Sequence, residues 1–183
     1  MFARTERLLL RPGWIEDAPA LARAIADEAI VTKLARAPWP YSLADAEAFL
    51  ARQPEPGLPD FLIFARTLGA PRLIGGIGLQ TAGDAEVELG YWIARPFWGL
   101  GFATEAGRAV MSLALESLRL PKLVAAHAID NPASGRVLAK LGFRPTGRTV
   151  TRHSVARNAA VQCVEFEYAA EDVTLATEPA LAA

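Results

Sequence analysis

The chain has 183 residues and a formal charge of -1, so it suits one domain with a full core and offers no basic surface for nucleic acid or an acidic membrane. No apolar stretch approaches the roughly twenty residues a membrane span needs, and the N-terminus lacks the basic-then-apolar layout of a secretory signal. A lone cysteine, Cys163, excludes an internal disulfide and makes a reducing cytoplasm the expected compartment.

Arg7 to Arg11 reads RLLLR, an apolar run between charges that predicts a first strand, ended by Pro12 and Gly13. From Asp17 to Ile30 the residues Ala18, Leu21, Ala22, Ile25 and Ala29 recur at helical spacing and predict one amphipathic helix capped by Asp17. Ala37-Pro38-Trp39-Pro40-Tyr41 forbids regular structure and leaves two large aromatics with no obvious core to enter. Ser42 caps a helix over Leu43 to Arg52, and Gln53 to Asp60, with three prolines and a glycine, is a loop. Phe61–Thr67, Leu73–Leu79 and Glu86–Ile93 predict an antiparallel meander. In its third strand Val87, Leu89, Tyr91 and Ile93 alternate with Glu86, Glu88, Gly90 and Trp92, giving an apolar and a polar side. Thr104 to Leu118 predicts the longest helix, with Ala106, Val110, Leu113 and Ala114 facing inward. Lys122 to Ile129 follows as a strand, then a helix from Pro132 to Leu141 stopped at Gly142. Phe143–Thr149 and Ala159–Tyr168 complete the strands, with the polar Thr151 to Asn158 between the pair. Residues 1–170 make one domain, and the alanine-rich stretch 171–183 reads as a flexible tail. The order predicts an α/β (α+β) mixed sheet with helices packed on it.

The chemistry gathers around Arg95 to Ala106, RPFWGLGFATEA. Gly99 and Gly101 let the backbone turn sharply, and the helix that Thr104 and Glu105 open leaves its first N–H groups unpartnered at the positive end of its dipole. A pyrophosphate fits such a junction, although a tight loop without a ligand fits it too. A dinucleotide fingerprint is weaker, because Thr104 stands where the last glycine of G-x-G-x-x-G belongs. A second segment, Asp130 to Phe143, reads DNPASGRVLAKLGF. The amide of Asn131 can hold a ligand amide or cap the following helix, and Ser134 lies in that helix's first turn. Glu88 is either a proton acceptor or an ordinary exposed glutamate, and His127 either a base or a hydrogen-bonded core histidine. Cys163, in VQCVEFEY, reads as strand packing.

WGLGFATEA followed by NPAS and KLGF resembles the GNAT superfamily of acetyl-CoA-dependent N-acetyltransferases, and within it the branch that acetylates ribosomal-protein amino termini. The resemblance runs from about Thr5 to Tyr168. It implies the GNAT acyl-CoA N-acyltransferase fold, an antiparallel meander followed by a parallel-paired strand, with helices on both faces. The meander's last strand and the strand after the long helix then splay apart to hold the thioester.

It also implies that the backbone of Trp98, Gly99, Leu100, Gly101, Phe102, Ala103 and Thr104 holds the coenzyme, with Trp98 where the family has glutamine or arginine. The N–H groups around Tyr91, Trp92 and Ile93 serve the carbonyl oxygen, Asn131 the pantetheine, and Ser134 the sulfur, as proton donor to the thiolate. Glu88 is the implied base, with His127 the other candidate. The acceptor side uses Trp39, Tyr41 and the Gln53 to Asp60 loop, unless these simply pack over the sheet. The expected co-substrate is acetyl-CoA with no metal, and the expected acceptor a primary amine on a peptide amino terminus. An antibiotic, polyamine or amino acid is the alternative acceptor, and a non-catalytic acyl-CoA-binding module the alternative function. A monomer or homodimer is expected, without nucleic acid or membrane partners.

Overall fold

The computed structural model describes residues 1–67, 69–83 and 86–169, and the expected tail from 171 lies outside them. A two-residue strand β1 (Ala3–Arg4) folds back on β2 (Leu8–Arg11), which is the RLLLR segment. The helix expected from Asp17 to Ile30 is broken into α1 (Ala18–Ile25) and α2 (Glu28–Val31). Asp27 takes an extended backbone, φ -138° and ψ 123°, and its carboxylate accepts from Ala29 N, so a polar residue inside the helical pattern starts a new helix. Nor does the Asp17 side chain cap α1. It accepts from Trp14 N and pairs with Arg11 at 2.7 Å. Ser42 does cap α3 (Leu43–Ala51), reciprocally with Asp45.

β3 (Asp60–Ala65), β4 (Arg72–Ala82) and β5 (Glu86–Ile93) form the antiparallel meander. The next helix, α4 (Phe102–Ser112), starts two residues earlier than expected and runs into a single π-helical stretch, Leu113–Ser117. Then come β6 (Lys122–Ala128), α5 (Pro132–Lys140), β7 (Arg144–Ser154) and β8 (Ala159–Ala169). β7 outruns its expected end at Thr149 and takes in Thr151 to Ser154, because those polar residues pair with β8 and, through Ser154 Oγ, with Leu34 O at 3.2 Å. The eight strands form one sheet in the order β1-β2-β3-β4-β5-β6-β8-β7.

Apolar periodicity explains why both sheet faces are covered. The continuous run of β3 sends Phe61, Ile63 and Ala65 to the face under α4 and α5, and Leu62 and Phe64 to the face under α1 and α3. On the first face Leu89, Ile93, Leu123, Ala125 and Phe166 meet Ala106, Val110, Ala114 and Leu138. The second face carries smaller clusters around Leu21 and around Ile25, Ile30 and Val31.

β5 and β6 are the sheet's parallel pair, and they register only at Glu88 and Val124. Beyond that point the strands part, so the remaining backbone groups of β5 that do not bond β4 look into an open gap. Among the described residues no helix is long and apolar enough to cross a membrane.

Candidate active site

The glycine-rich turn sits at one end of this gap. Gly99 and Gly101 have φ of +75° and +81°, which L side chains adopt only at a cost, and Gly101 is the residue from which α4 departs. The first helical amide with a backbone acceptor is that of Glu105, on Gly101 O at 3.0 Å. Ahead of it, the amides of Phe102, Ala103 and Thr104 have no intrahelical acceptor and carry the positive end of the dipole. Beside them opens a cleft of about 820 Å³ whose lining holds the cations Arg7, Arg108 and Lys140 and the carboxylates Glu6 and Glu105, the latter tied to Arg7. Free amides, a left-handed turn and nearby cations suit a pyrophosphate. Trp98 closes the turn from outside by donating its indole N–H to Ile93 O at 2.6 Å, while Leu100 stays exposed.

A clamp that sequence reading missed holds the turn in place. Glu105 accepts from Thr5 Oγ1 at 2.5 Å, from Arg7 N at 3.0 Å and from Arg7 Nε at 2.6 Å. Arg7 in turn donates to Leu100 O at 3.1 Å and lies over the Phe102 ring. Burial pushes the Glu105 carboxyl up, but the hydrogen bonds from Thr5 and Arg7 and the Arg7 charge outweigh it and hold the group below its ordinary range. Only the charge alternation in TERLLLR hinted at this, and nothing in it named Glu105 as the partner.

Across the gap, Tyr91 on β5 meets Ser134 in the first turn of α5. Tyr91 Oη lies 2.7 Å from Ser134 Oγ and donates to Ser134 O at 3.1 Å. Burial pushes the Tyr91 phenol up to about 12, with the Ser134 hydrogen bond opposing it, so the pair stays protonated at neutral pH. The sequence points to the backbone of Tyr91 and not to its hydroxyl. Its place on the apolar side of β5 was the available signal. Asn131 precedes α5 but makes no side-chain cap hydrogen bond, which leaves its amide for another partner. Trp92 and Ile93 follow Tyr91 on the same strand, and Ile93 is buried in the core. His127 packs under α5: Nδ1 lies 2.9 Å from Ala128 O, and Gly135 approaches Nε2 so closely that a Cβ there would stand 2.6 Å away.

Glu88 and His127 therefore occupy opposite faces of the sheet, since Glu88 registers with Val124 and side chains alternate along β6. Glu88 is 5% exposed, not an open surface glutamate. Its Oε1 takes a short hydrogen bond from Arg152 Nη1 on β7, and its Oε2 one of 3.4 Å from Gln80 Nε2. Arg36 reaches Gln80 Oε1 from the segment after α2. On this face Tyr41 packs with Trp92 between the two smaller clusters, and burial, then the Asp45 charge, raises its phenol to about 12. Trp39 is 41% exposed. In the Gln53 to Asp60 loop, Glu55 is held on Thr81 N and Oγ1. Cys163 lies buried on β8, and burial pushes its thiol up, away from the thiolate a covalent route needs.

Comparison with known proteins bears on the fold and the family. The model of the acetyltransferase (GNAT) domain matches residues 7–144. A Bacillus subtilis relative named uncharacterized N-acetyltransferase YoaA is 38% identical over 77 residues, which are 41% of this chain and 44% of that protein. The chain thus spans less than half the length of that curated relative. A ribosomal-protein-S5-alanine acetyltransferase from Vibrio fischeri superposes with a TM-score of 0.77 over 94% of this chain and 98% of its own, at 16% identity. A spermidine N-acetyltransferase from Vibrio cholerae, solved with CoA and spermine, gives 0.74 over 91% and 98%, at 17% identity. At such identities the likeness carries the fold, whereas the domain match covers most of the chain. The chain belongs to the GNAT acetyltransferase family.

Proposed function

We propose that the protein transfers the acetyl group of acetyl-CoA to a primary amine by direct attack of the amine on the thioester. The observation that carries this reading is the Tyr91–Ser134 pair, which joins β5 to the first turn of α5, taken together with the free amides that open α4. Acetyl-CoA supplies the activated acyl group, and the chain supplies the rest. The amides from Gly99 to Thr104 hold the pyrophosphate, and Asn131 takes a pantetheine amide. In the Tyr91 to Ile93 segment the backbone N–H groups on the edge away from β4, those of Tyr91 and Ile93, stabilise charge building on the carbonyl oxygen. Ser134 Oγ gives its proton to the departing sulfur and Tyr91 Oη resupplies it, which a phenol held protonated to about 12 can do throughout the physiological range.

On the other face Glu88 receives the amine and takes its proton, directly or through water. His127 lies under α5 on the coenzyme's side, so no proton step from the amine is given to it. An α-amine, with a pKa near 8, has a useful neutral fraction at pH 7, so a weak base suffices. The family relative acting on a ribosomal protein favours a peptide amino terminus, and the one solved with spermine favours a small amine. Trp39, Tyr41 and the loop before β3 border the acceptor. The single thiol, buried and unpaired, suits a reducing cytoplasm.

The test is free-thiol release from acetyl-CoA with a panel of amines and short peptides, comparing wild type with Ser134→Ala and Tyr91→Phe. Turnover that falls at least 10-fold in both variants, with the coenzyme-induced rise in Tm retained, supports the reading. A coenzyme-induced rise in Tm without turnover on any amine makes the protein a binding module. No rise at all removes the coenzyme assignment.

A further inference from the structure

The acceptor face holds more cationic donors than an amine needs. Gly90 follows Glu88 by two residues on β5, so it faces the same side, and it is exposed although β5 is flanked by strands on both edges. A Cβ built on Gly90 would meet nothing within 4 Å, so open space lies directly over the strand where the gap begins. Around that space run Arg36, Gln80, Glu88 and Arg152 in a hydrogen-bonded row. Arg36 is exposed, its hydrogen-bond partner is the neutral Gln80, and the Glu55 carboxylate, itself held on Thr81, feels its charge without pairing with it. Arg152 reaches Glu88 through Nη1 alone, and its side chain remains 34% exposed. A guanidinium carries five donors in a planar fork, so both arginines keep donors to spare in the geometry that fits a carboxylate.

We infer that the acceptor is an amine bearing a carboxylate close to its nitrogen, an amino-acid pattern, with the amine on Glu88 and the carboxylate on Arg152, while Arg36 at the far end of the row adds positive potential. This rests on the acetyl-transfer reading. The Glu88–Arg152 pair is itself an ammonium-and-carboxylate image in reverse. A zwitterion can split it and give each half a new partner, so the buried Glu88 carboxylate is not left uncompensated. A polyamine has no such exchange to offer. It would meet Glu88 with one nitrogen and bring its remaining charges against two guanidiniums, a like-charge arrangement that selects against it.

The experiment is free-thiol release with amino acids, each paired with its carboxamide at matched concentrations of neutral amine, and with spermidine. For wild type, kcat/KM for the acid exceeds that for its amide by at least 10-fold, mostly through KM, and spermidine is poorer than either. In Arg36→Gln, whose side chain is exposed, and in Arg152→Lys, which keeps the charge on Glu88 but loses the fork, the acid-to-amide ratio falls several-fold. Amides or spermidine turned over as well as the acids would overturn the inference while leaving acetyl transfer standing. An unchanged ratio in both variants would overturn the assignment of the arginines. No turnover on any acceptor removes both readings.

Discussion

The helix that carries Ser134 is held at its height above the sheet by a single missing methyl group, and adding it weighs two opposed effects. Gly135 lies inside α5, so Gly135→Ala gains about 1 kcal/mol of helix propensity. The same Cβ would stand 2.6 Å from His127 Nε2, closer than any real contact. His127 has little room to yield, because its Nδ1 is bound to Ala128 O and its ring lies 5.3 Å from that of Phe166. Overpacking of this kind costs about 1–3 kcal/mol, so the clash prevails and the expected net loss is about 1 kcal/mol. In a chain of 183 residues that lowers Tm by about 3 °C. Relief comes from removing the ring. On a His127→Ala background the clash is gone and the same substitution raises Tm by about 3 °C, a coupling of about 2 kcal/mol between the two sites. Thiol release in the single variant falls roughly 10-fold, since Ser134 moves with its helix and 1 Å of misplacement costs on the order of 100-fold. A Tm for Gly135→Ala at or above wild type would refute the reasoning, for it would mean the imidazole moves aside at no cost.

Other perturbations test the remaining parts. Tyr91→Phe loses a buried hydroxyl worth about 1 kcal/mol and removes from the alkaline absorbance titration a tyrosine that ionises near 12. Because that phenol is raised above its unfolded value, its contribution to stability is intact below pH 10 and fades as pH climbs toward 12, a slope the variant should lack. Arg152→Ala leaves Glu88 buried and unpaired and should cost about 2 kcal/mol, at the lower side for a buried pair because the arginine is partly exposed, as read by urea unfolding. Glu88→Gln in the same chain should recover most of that loss, and no recovery would mean the pair is not what holds β7 there. The Glu105 carboxyl is held below its ordinary 4.5, so the clamp on the phosphate turn is present above that pH and is lost as pH falls through the depressed value. The Tm difference between wild type and Glu105→Gln should therefore be constant from pH 5 to 8 and shrink in acid.

Most of the architecture was legible because it is local. Alternation identified β5 to the residue, and the Ser42 and Gly142 signals bracket α3 and the end of α5 within a residue or two. Where the reading failed, a side-chain or ladder hydrogen bond that periodicity does not register had decided the outcome. The pattern from Ala18 to Ala29 is helical throughout, yet Asp27 gains more from capping α2 than from staying in a helix. Thr151 to Ser154 are polar and read as a loop, yet pairing with β8 and the bond from Ser154 to Leu34 draw them into a strand. The bond to Leu34 spans 120 residues and lies outside any local window, whereas the Asp27 cap closes on Ala29 N two residues on and is hidden only by the helical pattern around it.

The two halves of the site differ in the same way. The half proposed for the coenzyme is built from two short backbone stretches, the left-handed turn with the first turn of α4 and the start of α5, each written in a short motif. Backbone amides carry it, which is why Trp98 can depart from the family pattern and the turn still form, with the indole bonded to Ile93 O. The acceptor half is built from side chains that meet only after the sheet closes, with Glu88 and Arg152 separated by 64 residues and Gln80 and Arg36 by 44. Such an arrangement leaves no spacing to read. It also lets one family keep its coenzyme while changing its acceptor, because a substitution at Arg36 or Arg152 leaves every amide of the phosphate turn where it was. Exchanging Arg36 and Arg152 together for neutral residues, with Glu88 retained, should thus shift preference from acids toward polyamines while the coenzyme-induced rise in Tm stays the same. A loss of that rise would show that the halves are coupled through the sheet.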